Sequence, residues 1–237
     1  MIDVRIVLVG PKFEGNVGAV ARSMSNFGVS ELYLVDPCPL GDDALRRSKH
    51  GSEILGNAKT VGSLEEALDG CFLAVATSGI VSQGDRNYAR LPVSVREFAE
   101  HVSGYEEKIA LIFGREDIGL YQDELNRCDV LIHVPSDESN PILNLSHAAT
   151  IVMYELFRTC DPTRRCEPAD RREKEFMFSF FENLMDAVDY PEARRGDTSV
   201  MFRRMMGRSI PTKYEYNTIM GIFGDAVKII KYGKGWE

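Results

Sequence analysis

Short apolar runs alternate with helix-spaced patterns over the first two-thirds of the chain. Arg5 to Val9, Glu31 to Val35, Phe72 to Thr77, Ile109 to Phe113 and Val130 to Val134 are brief and mostly apolar, with a weaker run at Thr60 and Val61. Apolar runs of this length without polar alternation predict strands covered on both faces, as in a parallel sheet. Between the first two runs, Val17, Val20, Ala21, Met24 and Phe27 share one helical face. Asn16 is placed to cap that helix and Gly28 to end it in the left-handed conformation, which completes a βαβ unit. Ser63 through Glu66 reads as a capping box, with Gly70 closing a short helix before the next strand. A longer helix begins near Leu143 and carries Ala148, Ile151, Val152, Glu155 and Leu156 to about Phe157. The alternation predicts an α/β domain with a mainly parallel sheet over residues 1–158.

The pattern then changes. Residues 159–172 are polar and broken by Pro162 and Pro168, which predicts a linker. Helix-type spacing returns in Glu173 to Val188, Thr198 to Met206 and Pro211 to Tyr232, a small C-terminal helical extension over residues 173–237. Phe176, Phe180, Leu184 and Val188 line up as one apolar stripe, read as core or as a contact between subunits.

A chain of 237 residues that is 44% hydrophobic can bury one substantial core and a small second unit. No run approaches bilayer length and the chain opens directly into a strand pattern, so the expectation is a cytoplasmic protein with no membrane partner. Five cysteines without a CxxC pair argue against a zinc site or a secreted disulfide framework, leaving a Cys160–Cys166 bridge as the one open pairing. No metal is expected. The formal net charge of −8 argues against a protein that coats nucleic acid non-specifically through a basic surface. It leaves room for local patches: Arg164, Arg165, Arg171, Arg172, Arg194, Arg195, Arg203, Arg204 and Arg208 crowd the C-terminal third. Solvated helix faces and phosphate contacts are both open readings of these arginines.

In open α/β sheets ligands bind beyond the carboxyl ends of the strands, so the segments just after them carry the candidate chemistry. After the first strand comes a glycine-rich loop, Gly10 to Gly15, leading into Asn16, Gly18 and Arg22. It lacks both the G-x-G-x-x-G fingerprint and a Walker lysine. After the Ile109 to Phe113 strand come Gly114, Arg115, Glu116, Asp117, Ile118, Gly119 and Leu120. After the last strand, Pro135 to Ile142 opens onto Leu143, Asn144, Leu145 and Ser146. Taken singly, Arg22 reads as a surface salt-bridge partner and the glycines as turn formers. Three such segments, each following a strand, point instead to a site.

These segments together resemble the three motifs of the SPOUT, or trefoil-knot, RNA methyltransferases. Asn16-x-Gly18-x-x-x-Arg22 is similar to the first, Phe113-Gly-Arg-Glu116-x-x-Gly119-Leu120 to the second, and Leu143-Asn144-Leu145-Ser-x-Ala148 to the third. They occur in the family's order within residues 1–158. Cys128-Asp129 before the last strand, and Tyr154-Glu155 late in the long helix, are similar to the TrmJ-like tRNA 2′-O-ribose methyltransferases within it. The resemblance implies a trefoil-knotted α/β fold, a homodimer whose sites are completed by the partner subunit, S-adenosyl-L-methionine (SAM) as cofactor and RNA, tRNA above all, as substrate. It places catalysis at Arg22, supported by Asn16, Glu116 and Asn144. It places the cofactor among Thr77, Ser78, Gly79, Gly114, Glu116, Gly119, Leu120, Val134, Leu143 and Leu145. Arg22, Arg86, Arg90 and Arg115 are the expected substrate contacts, the middle two on a long loop from Gly79 to Pro92. One position departs from the pattern: many relatives carry a hydroxyl residue where Ile142 stands. An rRNA methyltransferase and a non-catalytic RNA-binding relative remain alternatives.

Overall fold

The computed structural model describes residues 2–79, 92–159, 171–209 and 211–233. Its core is a seven-stranded sheet of β1 (Val4–Val9), β2 (Glu31–Val35), β3 (Lys59–Val61), β4 (Leu73–Thr77), β5 (Val93–Ser94), β6 (Ile109–Phe113) and β7 (Val130–His133). The order is β3-β2-β1-β6-β4-β7-β5 and every pairing is parallel. The central strands are wholly buried, because the sheet separates two apolar layers. One layer contains Ile6, Leu8, Val17, Val20, Met24, Phe98 and Val152; the other contains Val7, Val9, Leu64, Leu68, Ile112 and Leu131. This double cover explains the unbroken apolar runs. The two-residue β5 is too short to leave a pattern in the sequence.

Helix α1 (Glu14–Asn26) follows β1 and lies against α7 (Leu145–Arg158), where the Ser23 and Thr150 hydroxyls are 2.6 Å apart. Gly28, at φ 70°, ends α1, and the Val29 N–H returns to the Met24 carbonyl at 2.9 Å. That is the left-handed closure expected of it. Asn16 does not cap the helix. The cap position is Phe13, which offers no side-chain acceptor, and Asn16 sits within the first turn with its amide engaged elsewhere. The long helix likewise starts later than its apolar pattern suggests, at Leu145, with Asn144 as its cap accepting from the Ser146 N–H at 2.9 Å. Short helices α2 (Asp42–Ser48), α3 (Ser52–Gly56), α4 (Leu64–Leu68) and α5 (Val95–Val102) fill the other crossovers. Ser63 caps α4 through the Glu66 N–H, but the Glu66 carboxylate takes the Gly62 N–H, so the expected box is only half formed. Cys160 and Cys166 lie outside the described residues, and Cys38, Cys71 and Cys128 form no disulfide with one another.

The C-terminal helices α8 (Arg171–Ala187), α9 (Glu192–Ser209) and α10 (Lys213–Tyr232) share a small core of Met177, Phe178, Phe202, Met206 and Tyr216, in which the Phe181 and Phe202 rings stack 4.0 Å apart. The stripe expected on α8 is not the buried one. Phe176 and Val188 are 48% and 51% exposed, whereas Lys174, Met177, Phe178 and Met185 are buried. A buried ion pair selects this face: the Lys174 Nζ lies 2.9 Å from the Asp129 carboxylate just before β7 and also donates to the Phe72 carbonyl. The Asp129 carboxylate also accepts from the Ala74 N–H at 2.9 Å. Burial pushes the Asp129 carboxyl up, but the Lys174 ammonium, the Ala74 N–H and Arg203 outweigh it and hold the group below the usual carboxylate range. Its contribution to stability is therefore present above the ordinary carboxylate range and is lost as pH falls through the depressed value. Lys174→Met strands this carboxylate in the interior, and removing one partner of a buried pair costs about 3–5 kcal/mol. Urea unfolding of the variant should show that loss.

Candidate active site

Three loops meet at the carboxyl edge of the sheet, following β4, β6 and β7, and enclose a cavity of about 220 Å³. Thr77, Ser78, Gly79, Gly114, Glu116, Gly119, Leu120, Val134, Leu143 and Leu145, the expected cofactor residues, all lie on its wall. The wall is largely apolar, with Phe113, Leu125, Leu131 and Ile132 adding to it, and a few polar groups project from it. Such a surface suits a flat heteroaromatic ring with polar substituents. Among the described residues no group of His, Cys, Asp and Glu could hold a metal ion, and no helix is long and apolar enough to cross a membrane.

The loop after β6 is a tight turn in which Arg115 and Gly119 exchange both backbone hydrogen bonds, at 3.1 and 2.9 Å. Gly119 has φ 69°, where a side chain would be strained. Gly114 is held by contact rather than conformation: a Cβ there would stand 2.2 Å from the Gly119 carbonyl carbon and 2.4 Å from the Leu120 nitrogen. Backbone atoms on both sides leave nothing that can give way. Gly114→Ala should therefore open the turn, costing about 1–3 kcal/mol of stability and deforming the cavity wall. Calorimetric titration with SAM is expected to show no binding, while the far-UV circular dichroism stays close to wild type.

Glu116 projects from this turn toward the loop after β1. Its carboxylate accepts from the Lys12 N–H at 2.9 Å, the Phe13 N–H at 3.4 Å and the Asn16 side-chain amide at 2.8 Å. The Asn16 oxygen in turn accepts from the Asn144 amide at 3.1 Å, and the Asn144 oxygen caps α7. A continuous chain of hydrogen bonds thus joins Glu116, Asn16 and Asn144, one from each motif. Lys12 adds an ion pair to Asp117 across the same junction, and that contact holds the exposed Asp117 carboxyl below its usual range. Neither Lys12 nor Asp117 stands out in the sequence as a partner of the other.

Arg115, expected at the substrate, lies on the cavity wall and is paired with a neighbouring carboxylate. Its guanidinium makes two 3.0 Å hydrogen bonds to the Glu124 carboxylate and lies 4.2 Å from the centre of the Tyr121 ring. The bond to Glu124 raises its pKa further, and burial opposes it only in part. Glu124, on α6 (Gln122–Asn126), also accepts the Tyr121 N–H at 2.7 Å, so the pair ties the cavity turn to that short helix. Sequence reading passed over Glu124, although a carboxylate three residues after Tyr121 is a helix-start signal.

Arg22 is not on the cavity wall of its own chain. It is exposed on α1 and makes no ion pair or side-chain hydrogen bond with another described residue. Arg86 and Arg90 lie outside the described residues. Ile142, 60% exposed, stands at the cavity rim beside Gly79 and brings no hydrogen-bonding side chain there.

A parallel sheet of this order, with a cavity at its carboxyl edge and a hydrogen-bonded chain joining the segments after β1, β6 and β7 beside it, is the SPOUT α/β fold. The chain belongs to the SpoU rRNA methylase family, whose model matches residues 3–154. It is 35% identical, over 94% of this chain and 99% of the relative, to the tRNA (cytidine-2'-O-)-methyltransferase TrmJ of Methanocaldococcus jannaschii. It is also 35% identical to the tRNA (cytidine/uridine/adenosine-2'-O-)-methyltransferase TrmJ of Pseudomonas aeruginosa, with 98% of this chain and 96% of the relative covered. Among solved structures, TrmJ from Z. mobilis superimposes with a TM-score of 0.68 at 26% identity, over 93% of this chain and 97% of that one.

Proposed function

We propose that the protein is a SAM-dependent tRNA 2′-O-ribose methyltransferase that modifies the first nucleotide of the anticodon loop, at cytidine and also at uridine. The observation that carries this reading is the cavity with its Glu116, Asn16 and Asn144 chain, set in a fold whose full-length relatives are named as tRNA 2′-O-methyltransferases. Leu120, Leu125, Val134, Leu143 and Leu145 would hold the adenine ring, and the backbone of the three loops would address its edge. When bound, SAM supplies the electrophilic methyl group; everything else falls to the residues of the chain.

Methyl transfer to a ribose hydroxyl needs the oxygen held close to, and in line with, the methyl carbon, so positioning carries much of the rate. The oxygen–carbon bond forms as the carbon–sulfur bond breaks, and the hydroxyl proton leaves to solvent. Arginine keeps its proton across physiological pH and has no acceptor when charged. Arg22 therefore orients the adjoining phosphate and stabilises the developing alkoxide rather than abstracting the proton. Because Arg22 lies off the cavity of its own chain, the reaction requires the partner subunit's Arg22 to reach it. A homodimer through α1 and α7 fits this geometry. Tyr154 and Phe157 of α7, 48% and 47% exposed, pack their rings beside Phe27 and present an aromatic face to solvent.

Ribose methylation leaves a distinctive mark, because a blocked 2′-oxygen cannot cleave the adjacent phosphodiester in alkali. After incubation with SAM, unmodified tRNA should show one gap in its alkaline ladder at the start of the anticodon loop. A full ladder from tRNA beside a gap in rRNA fragments would replace the substrate in this reading.

A further inference from the structure

The α9 helix reaches the cavity through α6. Arg204 is buried, with 2% of its surface exposed, and its guanidinium donates to the Leu125 carbonyl near the end of α6. Leu125 itself lines the cavity. A five-residue helix has too few internal hydrogen bonds to persist alone, so its ends decide whether it forms. The start of α6 is fastened by Glu124, which accepts the Tyr121 N–H and grips Arg115. Its end is closed by the Cys128 N–H, which donates to the Leu125 carbonyl at 3.1 Å, and by Arg204, which brings a buried cation to the same oxygen at the helix C-terminus, where positive charge is favoured. Nearby, Gly207 packs so closely on the Asp129 backbone that a Cβ would stand 2.1 Å from the Asp129 carbonyl oxygen. That contact fixes the level of α9 against the sheet.

We infer that Arg204 is a positioning residue for the cofactor: through the Leu125 carbonyl it holds α6, and through α6 the Arg115–Glu124 clamp and the turn that walls the SAM cavity. The inference rests on the proposed use of SAM. It gives the C-terminal helices a role distinct from gripping RNA, and the neighbouring arginines agree. Arg203 is engaged by Glu175 at 3.0 Å and Asp129 at 3.5 Å, and Arg195 by Asp186 at 2.6 Å. Arg204 also carries two buried nitrogens, Nε and Nη1, without a hydrogen-bond partner. A guanidinium left in that condition is costly for stability alone, since burial without full pairing is unfavourable. What offsets that cost is the bond its third nitrogen makes to the Leu125 carbonyl.

Arg204→Met removes the bond to Leu125 while relieving the unpaired nitrogens, so the variant is expected to fold. Calorimetry should show SAM bound about tenfold more weakly, with tRNA affinity and its salt dependence unchanged. Hydrogen exchange should quicken over residues 115–126 and stay at wild-type rates in α1. Glu124→Gln attacks the same helix from its other end. It should weaken SAM binding similarly, and the double variant should be little worse than the weaker single one, as expected of two residues acting through one element. Unchanged SAM affinity together with unchanged exchange in the methionine variant would overturn the inference, as would a loss of tRNA affinity with SAM binding intact. If the wild-type protein itself fails to bind SAM, the proposed function falls, and the exchange over residues 115–126 still decides whether Arg204 holds α6.

Discussion

Glu116→Ala is expected to lower methyl transfer by about a hundredfold or more and to weaken SAM binding with it. The carboxylate is the shared acceptor for the Lys12 and Phe13 N–H groups and the Asn16 amide. Hydrogen bonds to a charged group contribute about 1.5–3 kcal/mol each, and water can replace some of what is lost at this partly open site. A net loss of about 3 kcal/mol in the productive geometry corresponds to about a hundredfold in rate. Without this acceptor the loop after β1 separates from the turn after β6, and the Asn144 amide loses the fixed Asn16 oxygen it donates to. Glu116→Gln keeps one carbonyl oxygen and should fall between alanine and wild type. Single-turnover rates and SAM titrations on the same preparations separate the two effects. Wild-type turnover in the alanine variant would show that the three segments do not depend on their common carboxylate.

Arg22→Ala should lower methyl transfer by about a hundredfold or more, the usual scale for losing a group that manages charge at the reacting oxygen. SAM affinity should stay within about twofold of wild type, because the exposed side chain is not on the cavity wall of its own chain and water-exposed changes of this kind rarely disturb a fold. A sharper result comes from mixing. Arg22→Ala supplies an intact cavity and Gly114→Ala an intact arginine. If the partner subunit's Arg22 completes each site, heterodimers of the two inactive variants regain one working site of two. Mixtures that stay inactive after subunit exchange would place the arginine's action within a single chain.

The sheet was legible in the sequence because burial on both faces leaves apolar runs that no surface element produces. All five of the longer apolar runs match their strands to within one residue at each end. The cavity was legible for a related reason, since ligand loops in such folds follow strands and the loops here are rich in glycine and polar residues. What the sequence could not display is the bonding between them. Asn16 and Glu116 are 100 residues apart and Asn16 and Asn144 are 128 apart, so the use of Asn16 as a bridge rather than a cap depends on tertiary contact. The pairing of Arg115 was hidden for the same reason: an arginine that looks free in a loop is held by Glu124 once the turn closes. On α8 the apolar spacing offered Phe176, Phe180, Leu184 and Val188, but one buried Lys174–Asp129 pair rotates the helix to another face. A charged residue that chooses the buried side defeats any reading built on hydrophobic periodicity. The C-terminal arginines follow the same logic, three of them being occupied by protein partners rather than standing free for phosphate.

The central claim is that this cavity delivers a methyl group to a ribose oxygen of tRNA. It is tested most directly by incubating the protein with labelled SAM and unmodified tRNA transcripts, then digesting to nucleosides for mass spectrometry. The account predicts label in 2′-O-methylcytidine or 2′-O-methyluridine from the first position of the anticodon loop, reduced about a hundredfold or more with the Arg22→Ala protein. Label on a base, or no transfer to tRNA by a protein that binds SAM, would contradict it.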